Sequence, residues 1–266
     1  MTIKLIATDM DGTFLDDDKQ YDRRYFAQLY RDMQTRNIQF VVASGNQYYQ
    51  LKSFFEDYPE VIYLAENGAY LRTADQVLDY SNFTQAQFEQ IMDKLCAIPE
   101  LDLIIAGKKS AYLLPETPQS FTDISRLYYK HLDFIDDYHT LDDKIFKIGI
   151  HCPDERTEEF VQRLKIELDG LGTPTSSGHG DIDIIQPGIH KANGLKKLGE
   201  LLNIDLQEMV AFGDGGNDLE MLTEVGLGVA MANAPEPIQN AADVLTTTNN
   251  KQGVLTYIDQ LIHQES

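Results

Sequence analysis

The chain has 266 residues, 42% hydrophobic and 24% charged, enough for one large domain or two modest ones with a substantial core. Its 43 acidic against 22 basic residues give a formal net charge of -21, which argues against nucleic acid and anionic lipid as partners and means that an anionic substrate needs local positive charge. No apolar run is long enough for a membrane span and the N-terminus carries no signal pattern, so a cytoplasmic protein is expected; the two cysteines, Cys96 and Cys152, lie in no metal-ligand spacing and read as core residues.

In chain order, Ile3 to Thr8 is an apolar run that predicts a buried strand. Phe26, Leu29, Tyr30 and Met33 recur at helical spacing within about Asp22 to Arg36. Gln39 to Ala43 reads as a second strand, a helix runs through Leu51, Phe54 and Phe55, and Val61 to Ala65 reads as a third strand followed by a hairpin around Tyr70-Leu71 and Val77-Leu78. This alternation is the pattern of a parallel α/β sheet. The middle differs. Helices are expected near Gln85 to Ile98, Pro118 to Lys130 and Glu155 to Leu168. Strands are expected at Leu101 to Ala106, Ala111 to Leu114, Ile145 to His151, Thr173 to Ser176 and Ile182 to Ile185, which suggests an α+β module with an antiparallel sheet. From His190 the α/β rhythm returns: a helix over Lys191 to Leu202, a strand at Met209 to Phe212, a helix near Leu219 to Leu222, a strand at Gly228 to Met231, a short helix from Pro235 and a last helix over Val254 to Ile262. The simplest architecture is one α/β domain interrupted by an inserted α+β domain.

Chemistry-bearing residues fall at strand ends and helix starts. Asp9-Met10-Asp11-Gly12-Thr13 places two carboxylates after the first strand, where open α/β sheets bind ligands. One can attack phosphorus and the other can serve as general acid and base, with a metal offsetting the repulsion between anions. Gly12 comes too early for a calcium loop, although a plain polar turn would also fit an isolated Asp-x-Asp. Gly213-Asp214-Gly215-Gly216-Asn217-Asp218 is a second acidic cluster after a strand; its aspartates suit magnesium, and Asp218 stands where a dinucleotide fingerprint requires glycine. Ser44-Gly45-Asn46 can hold a phosphate at a helix start, or be an ordinary serine cap. Lys191 can neutralise phosphate and nucleophile, whereas adjacent His190 reads as structural. Asn67 either donates into the cleft or serves a turn with Gly68. Lys108-Lys109-Ser110 lacks the glycines of a phosphate loop, and Tyr48-Tyr49 and Tyr128-Tyr129 read as packing residues.

Together the four motifs resemble the haloacid dehalogenase superfamily of phosphatases: Asp9 to Thr13, Ser44, Lys191, and Gly213 to Asp218, in that order over essentially the whole chain. The long insert between Ser44 and Lys191 is similar to the C2-type cap of the Cof-like branch, and the stretches around Ser44-Gly45-Asn46-Gln47-Tyr48-Tyr49 and His190-Lys191-Ala192-Asn193-Gly194 resemble bacterial sugar phosphatases. The resemblance implies a Rossmann-like, doubly wound α/β core over residues 1–82 and 189–266, with an α+β cap over residues 83–188. It implies Asp9 as nucleophile and Asp11 as acid/base. It further implies Mg2+ held by Asp9, the main-chain carbonyl of Asp11 and Asp214, with Asp218 supporting, and phosphate held by Ser44, Gly45, Lys191 and Asn217. Asn46 departs from the arginine common in the family, and Gly215 from a serine. The implied activity is Mg2+-dependent hydrolysis of small phosphorylated metabolites, foremost sugar phosphates. Cap loops at Gly107 to Tyr112 and Gly178 to Asp183 are the specificity candidates. The rival readings are a phosphosugar mutase, a non-catalytic sugar-phosphate sensor, and a response-regulator-like phosphoacceptor, which the insert and the Asp11-Gly12-Thr13 run fit poorly. Oligomeric state and the physiological substrate stay open.

Overall fold

The opening apolar run forms β1 (Leu5–Thr8), every residue of it buried. Its side chains alternate: Ile6 joins the core on one face of the sheet, and Leu5 and Ala7 join the core on the other. The structure, a computed structural model, describes residues 2–178 and 180–263, with residues 177 and 178 described by their backbone alone.

α1 (Arg23–Thr35) begins at Asp22, whose carboxylate accepts the Tyr25 N–H, and buries Phe26, Leu29, Tyr30 and Met33. β2 (Gln39–Ala43), α2 (Tyr48–Phe54) and β3 (Ile62–Ala65) continue the alternation, and β4 (Tyr70–Arg72) and β5 (Val77–Tyr80) form the hairpin. α3 (Gln85–Cys96) starts with a reciprocal Thr84–Gln87 cap. The insert then runs through β6 (Asp102–Gly107), β7 (Ala111–Leu113), α4 (Gln119–Tyr128), β8 (Leu132–Phe134), β9 (Ile145–His151), α5 (Thr157–Glu167), β10 (Thr173–Gly178) and β11 (Asp181–Ile185). The chain closes with α6 (Lys191–Leu202), β12 (Met209–Gly213), α7 (Leu219–Glu224), β13 (Leu227–Ala230), α8 (Glu236–Ala241), β14 (Val244–Leu245) and α9 (Gly253–His263).

The strands form two sheets. The first has the order β14-β13-β12-β1-β2-β3-β4-β5, parallel from β14 through β3 and antiparallel in the hairpin. Apolar cores cover both of its faces, as a parallel sheet requires. The second has the order β10-β11-β9-β6-β7-β8 and a separate core built on Phe88, Ile148, Phe160 and Leu164. This is the expected α/β core with an inserted α+β cap. The cap sheet is not wholly antiparallel, because the unanticipated strand β8 pairs parallel to β7. Cys152 is buried as expected, but Cys96 is exposed at the end of α3. Among the described residues, no helix is long and apolar enough to cross a membrane.

Side-chain hydrogen bonds and ring contacts tie the cap to the core. At the crossing points the Gln186 amide donates to Ser81 O at 3.0 Å and Phe146 O at 3.2 Å, so one side chain joins the outgoing and returning chain. Across the seam, the buried Gln47 side chain pairs with the His131 peptide, donating to its O at 3.0 Å and accepting from its N at 3.1 Å. Tyr49 stacks on the His131 ring at 3.7 Å between centroids. Tyr48 packs edge-on against Tyr63 in the core.

Candidate active site

The parallel strands deliver their carboxyl ends to one edge of the first sheet. β1 lies between β12 and β2, so Asp9, Asp214 and Ser44 emerge side by side. Gly12 makes the approach possible: its φ is +75°, and a Cβ there would collide with the Asp214 carboxylate.

Asp9 is buried, and its Oδ1 accepts the Lys191 Nζ at 2.6 Å. Lys191 enters from the start of α6 with its side chain wholly covered and also donates to Asp218 Oδ1 at 2.6 Å. The other oxygen of Asp218 accepts the Asp214 N–H at 3.0 Å and the Gly215 N–H at 2.9 Å, which shapes the loop after β12 rather than capping α7. Asp214 accepts the Thr13 hydroxyl at 2.5 Å. Asp9, Asp214 and Asp218 each bring one carboxylate oxygen to within 4.8 Å of the others.

Three carboxylates thus face a single ammonium. Burial drives the Asp9 pKa well above the ordinary carboxylate value; Lys191 opposes this, and the charges of Asp218 and Asp214 add to it. Burial likewise pushes Asp214 up to about 6 against the pull of the Thr13 hydroxyl. Burial works against the Lys191 ammonium, yet Asp218 and Asp9 outweigh it and hold its pKa above the usual lysine value. Such an excess of negative charge among oxygen donors suits a hard divalent cation, so these residues fit a divalent-metal site.

Asp11 stands apart from this trio. Its Oδ1 accepts Lys19 Nζ at 2.6 Å and its Oδ2 accepts the Asn46 amide at 2.6 Å. The Asn46 amide therefore orients this carboxylate. Ser44 is buried and its Oγ accepts the Asn46 N–H at 3.1 Å; among the described residues its hydroxyl donates to no protein group. Asn217 donates to Asn67 Oδ1 at 3.2 Å.

These groups border a cavity of about 460 Å³ between core and cap. Asp9, Asp11, Ser44, Gly45, Asp214 and Asn217 line it from the core; Phe121, Tyr128, Tyr129, Lys147, Asp181 and Asp183 line it from the cap. Lys191 is brought to Asp9 from behind and lines a smaller neighbouring cavity of about 110 Å³ with His190. The pair Tyr128-Tyr129, read from sequence as packing, forms part of the wall. Of the two expected specificity loops, Gly107 to Tyr112 contributes nothing to the lining, and the Tyr112 hydroxyl donates to Asp143 at 2.8 Å. The loop Gly178 to Asp183 contributes Asp181 and Asp183, while its His179 lies outside the described residues. Lys19 and Lys147 were missed. Lys19 follows three aspartates and looks solvated; a lone lysine in the apolar run Ile145-Phe146-Lys147-Ile148 was a usable signal.

The profile of the haloacid dehalogenase-like hydrolases matches residues 6–258. The chain is 40% identical over 267 residues to the 5-amino-6-(5-phospho-D-ribitylamino)uracil phosphatase YbjI of Escherichia coli (strain K12), covering 100% of this chain and 98% of that protein. It is 27% identical to YcsE of Bacillus subtilis (strain 168), a phosphatase of the same name, over 95% of this chain and 93% of that one. The crystal structure of SMU.1108c from Streptococcus mutans UA159 superposes with a TM-score of 0.93 at 32% identity, covering 98% of this chain and 99% of the other. The chain belongs to the haloacid dehalogenase-like hydrolases and is a phosphatase of that family.

Proposed function

We propose that the protein is a Mg2+-dependent phosphomonoesterase that works through an aspartyl phosphate on Asp9 and acts on phosphorylated sugars or polyols. The observation that carries this reading is the buried Lys191–Asp9 contact beside Asp214, opening on a cavity shared by core and cap. Lys191 engages Oδ1 of Asp9, and among the described residues Oδ2 accepts no hydrogen bond, which supports Oδ2 as the attacking atom. In the first step this oxygen bonds to phosphorus, the ester P–O bond breaks, and Asp11 gives its proton to the departing alkoxide. In the second, Asp11 takes a proton from water, the water oxygen bonds to phosphorus, and inorganic phosphate leaves Asp9 as a free carboxylate. Ser44, Gly45 and Asn217 hold the phosphate, and Lys191 favours the ionised nucleophile against the effect of burial. Asp9, Asp214 and the main-chain carbonyl of Asp11, with Asp218 behind them, would hold Mg2+, whose charge would offset the repulsion between the anionic nucleophile and the anionic ester.

In this reading residues 1–82 and 189–266 supply the chemistry and residues 83–188 select the leaving group. Aromatic Phe121 and Tyr128 beside the carboxylates of Asp181 and Asp183 suit a leaving alcohol with hydroxyls and a flat or apolar part. A phosphorylated ribityl chain joined to uracil, the substrate in the names of the two relatives, has that character and belongs in the assay beside simple sugar phosphates. The test is phosphate release from such a panel with and without Mg2+. Release should need the metal, and Asp9→Asn should lower it by at least about a thousandfold with the fold intact. Full turnover by Asp9→Asn would sink the mechanism.

A further inference from the structure

We propose that Asp183 determines specificity for a hydroxylated leaving group, by accepting a hydrogen bond from a substrate hydroxyl near the phosphoester. The proposal rests on the phosphatase reading above. Oδ2 of Asp183 is occupied, accepting the Asn67 amide at 2.6 Å and Lys147 Nζ at 2.9 Å. Oδ1 accepts no hydrogen bond among the described residues. It lies beside Gly149, where even a Cβ would come to 3.7 Å, and both residues line the cavity. An ionised carboxylate only accepts, so its open oxygen calls for a donor such as an alcohol O–H and repels a phosphate.

The setting of this oxygen is built from the phosphate side. A carboxylate cannot donate, so Asn67 must turn its NH2 toward Asp183 and its carbonyl toward Asn217, which donates to it at 3.2 Å. Asp183 is therefore two hydrogen bonds from a group assigned to phosphate. Glu66 and Asn67 both sit in the left-handed region, at φ +52° and +56°, a costly conformation for side-chain-bearing residues that is maintained only where the surroundings enforce it. Gly45 leaves the room: a Cβ there would come within 3.1 Å of Asn67 Oδ1 and 3.4 Å of Asp183 Oδ2. Lys147, buried in the centre of the cap sheet, donates to Gly45 O at 2.6 Å as well as to Asp183. The oxygen facing the substrate is thus fixed relative to Ser44-Gly45 and Asn217 together.

The experiment compares ribitol 5-phosphate with pentyl phosphate, the same five-carbon ester without hydroxyls, using p-nitrophenyl phosphate to report the chemical step. Wild type should favour the ribitol ester in kcat/KM by at least about tenfold, and Asp183→Asn should cut that preference by about tenfold. The variant should lose less on pentyl and p-nitrophenyl phosphate than on the ribitol ester. Asp183→Ser, read in the same way, stands in if the Asn variant does not fold. An equal loss on all three esters would make Asp183 a structural pin and overturn the proposal, as would a wild type without preference. No turnover of any ester by wild type would instead remove the phosphatase reading on which it rests.

Discussion

The Lys191 ammonium lies 2.6 Å from the Asp9 carboxylate, across 182 residues of chain, with no part of the lysine side chain exposed. It also neutralises Asp218, which is fully buried. Lys191→Met would keep the volume and leave two buried carboxylates without their cation, an arrangement that costs about 3–5 kcal/mol. The expected result is a lower urea midpoint at pH 7 together with loss of turnover. The destabilisation should shrink as the pH falls and the Asp9 carboxyl, its pKa already raised by burial, takes up its proton. A variant with the wild-type midpoint would show that the pair contributes no net stability.

Gln47 follows Ser44-Gly45-Asn46 directly and holds the cap through the two hydrogen bonds to the His131 peptide. The stretch it holds includes Tyr128 and Tyr129 of the cavity wall, and Gln50 adds a bond to Leu127 O at 3.4 Å. Gln47→Ala removes both bonds, each contributing about 0.5–1.5 kcal/mol. Hydrogen exchange should quicken across residues 127–131, and KM should rise several-fold with little change in kcat. Unchanged exchange at the His131 amide would show that the cap is held elsewhere.

Glu66 gives a pH-dependent signature. It is buried, its Oε2 lies 3.6 Å from Lys147 Nζ, and burial, opposed by Lys147, pushes its pKa from 4.5 to about 7. A carboxyl with a raised folded pKa binds more protons folded than unfolded, so its contribution to stability falls as pH rises from 4.5 to about 7. Glu66→Gln removes this dependence. The melting temperature of wild type relative to the variant should drop across that window, by the equivalent of about 3 kcal/mol at most. Parallel melting curves from pH 5 to 8 would contradict it.

Most of the core and the placement of its motifs were legible because the relevant signals are local. The run Leu5 to Thr8 is apolar throughout, and Asp9, Ser44 and Asp214 each follow such a run, so their arrival at one sheet edge follows from parallel topology. β8 and β14 were not legible; they are short and their strand character comes from a neighbour, β7 for one and β13 for the other. The pairing of Asp11 with Lys19 and Asn46 was also hidden, since a lysine after three aspartates looks like solvated surface until the loop turns back. Cys96 was misread because its position at the last turn of α3 falls outside the stripe formed by Phe88, Ile91, Met92 and Leu95.

The position of β1 between β2 and β12 has a consequence for how the protein is made. A growing chain can pair β1 with β2 early, but the other edge of β1 stays open until the segment Met209–Gly213 is available. Over that interval the nascent protein carries an unpaired edge of buried-type residues, the kind of surface that invites association with other chains. The strand that closes this edge also brings Asp214 and Asp218, so protection from misassembly and the completed acidic trio arrive in the same docking event.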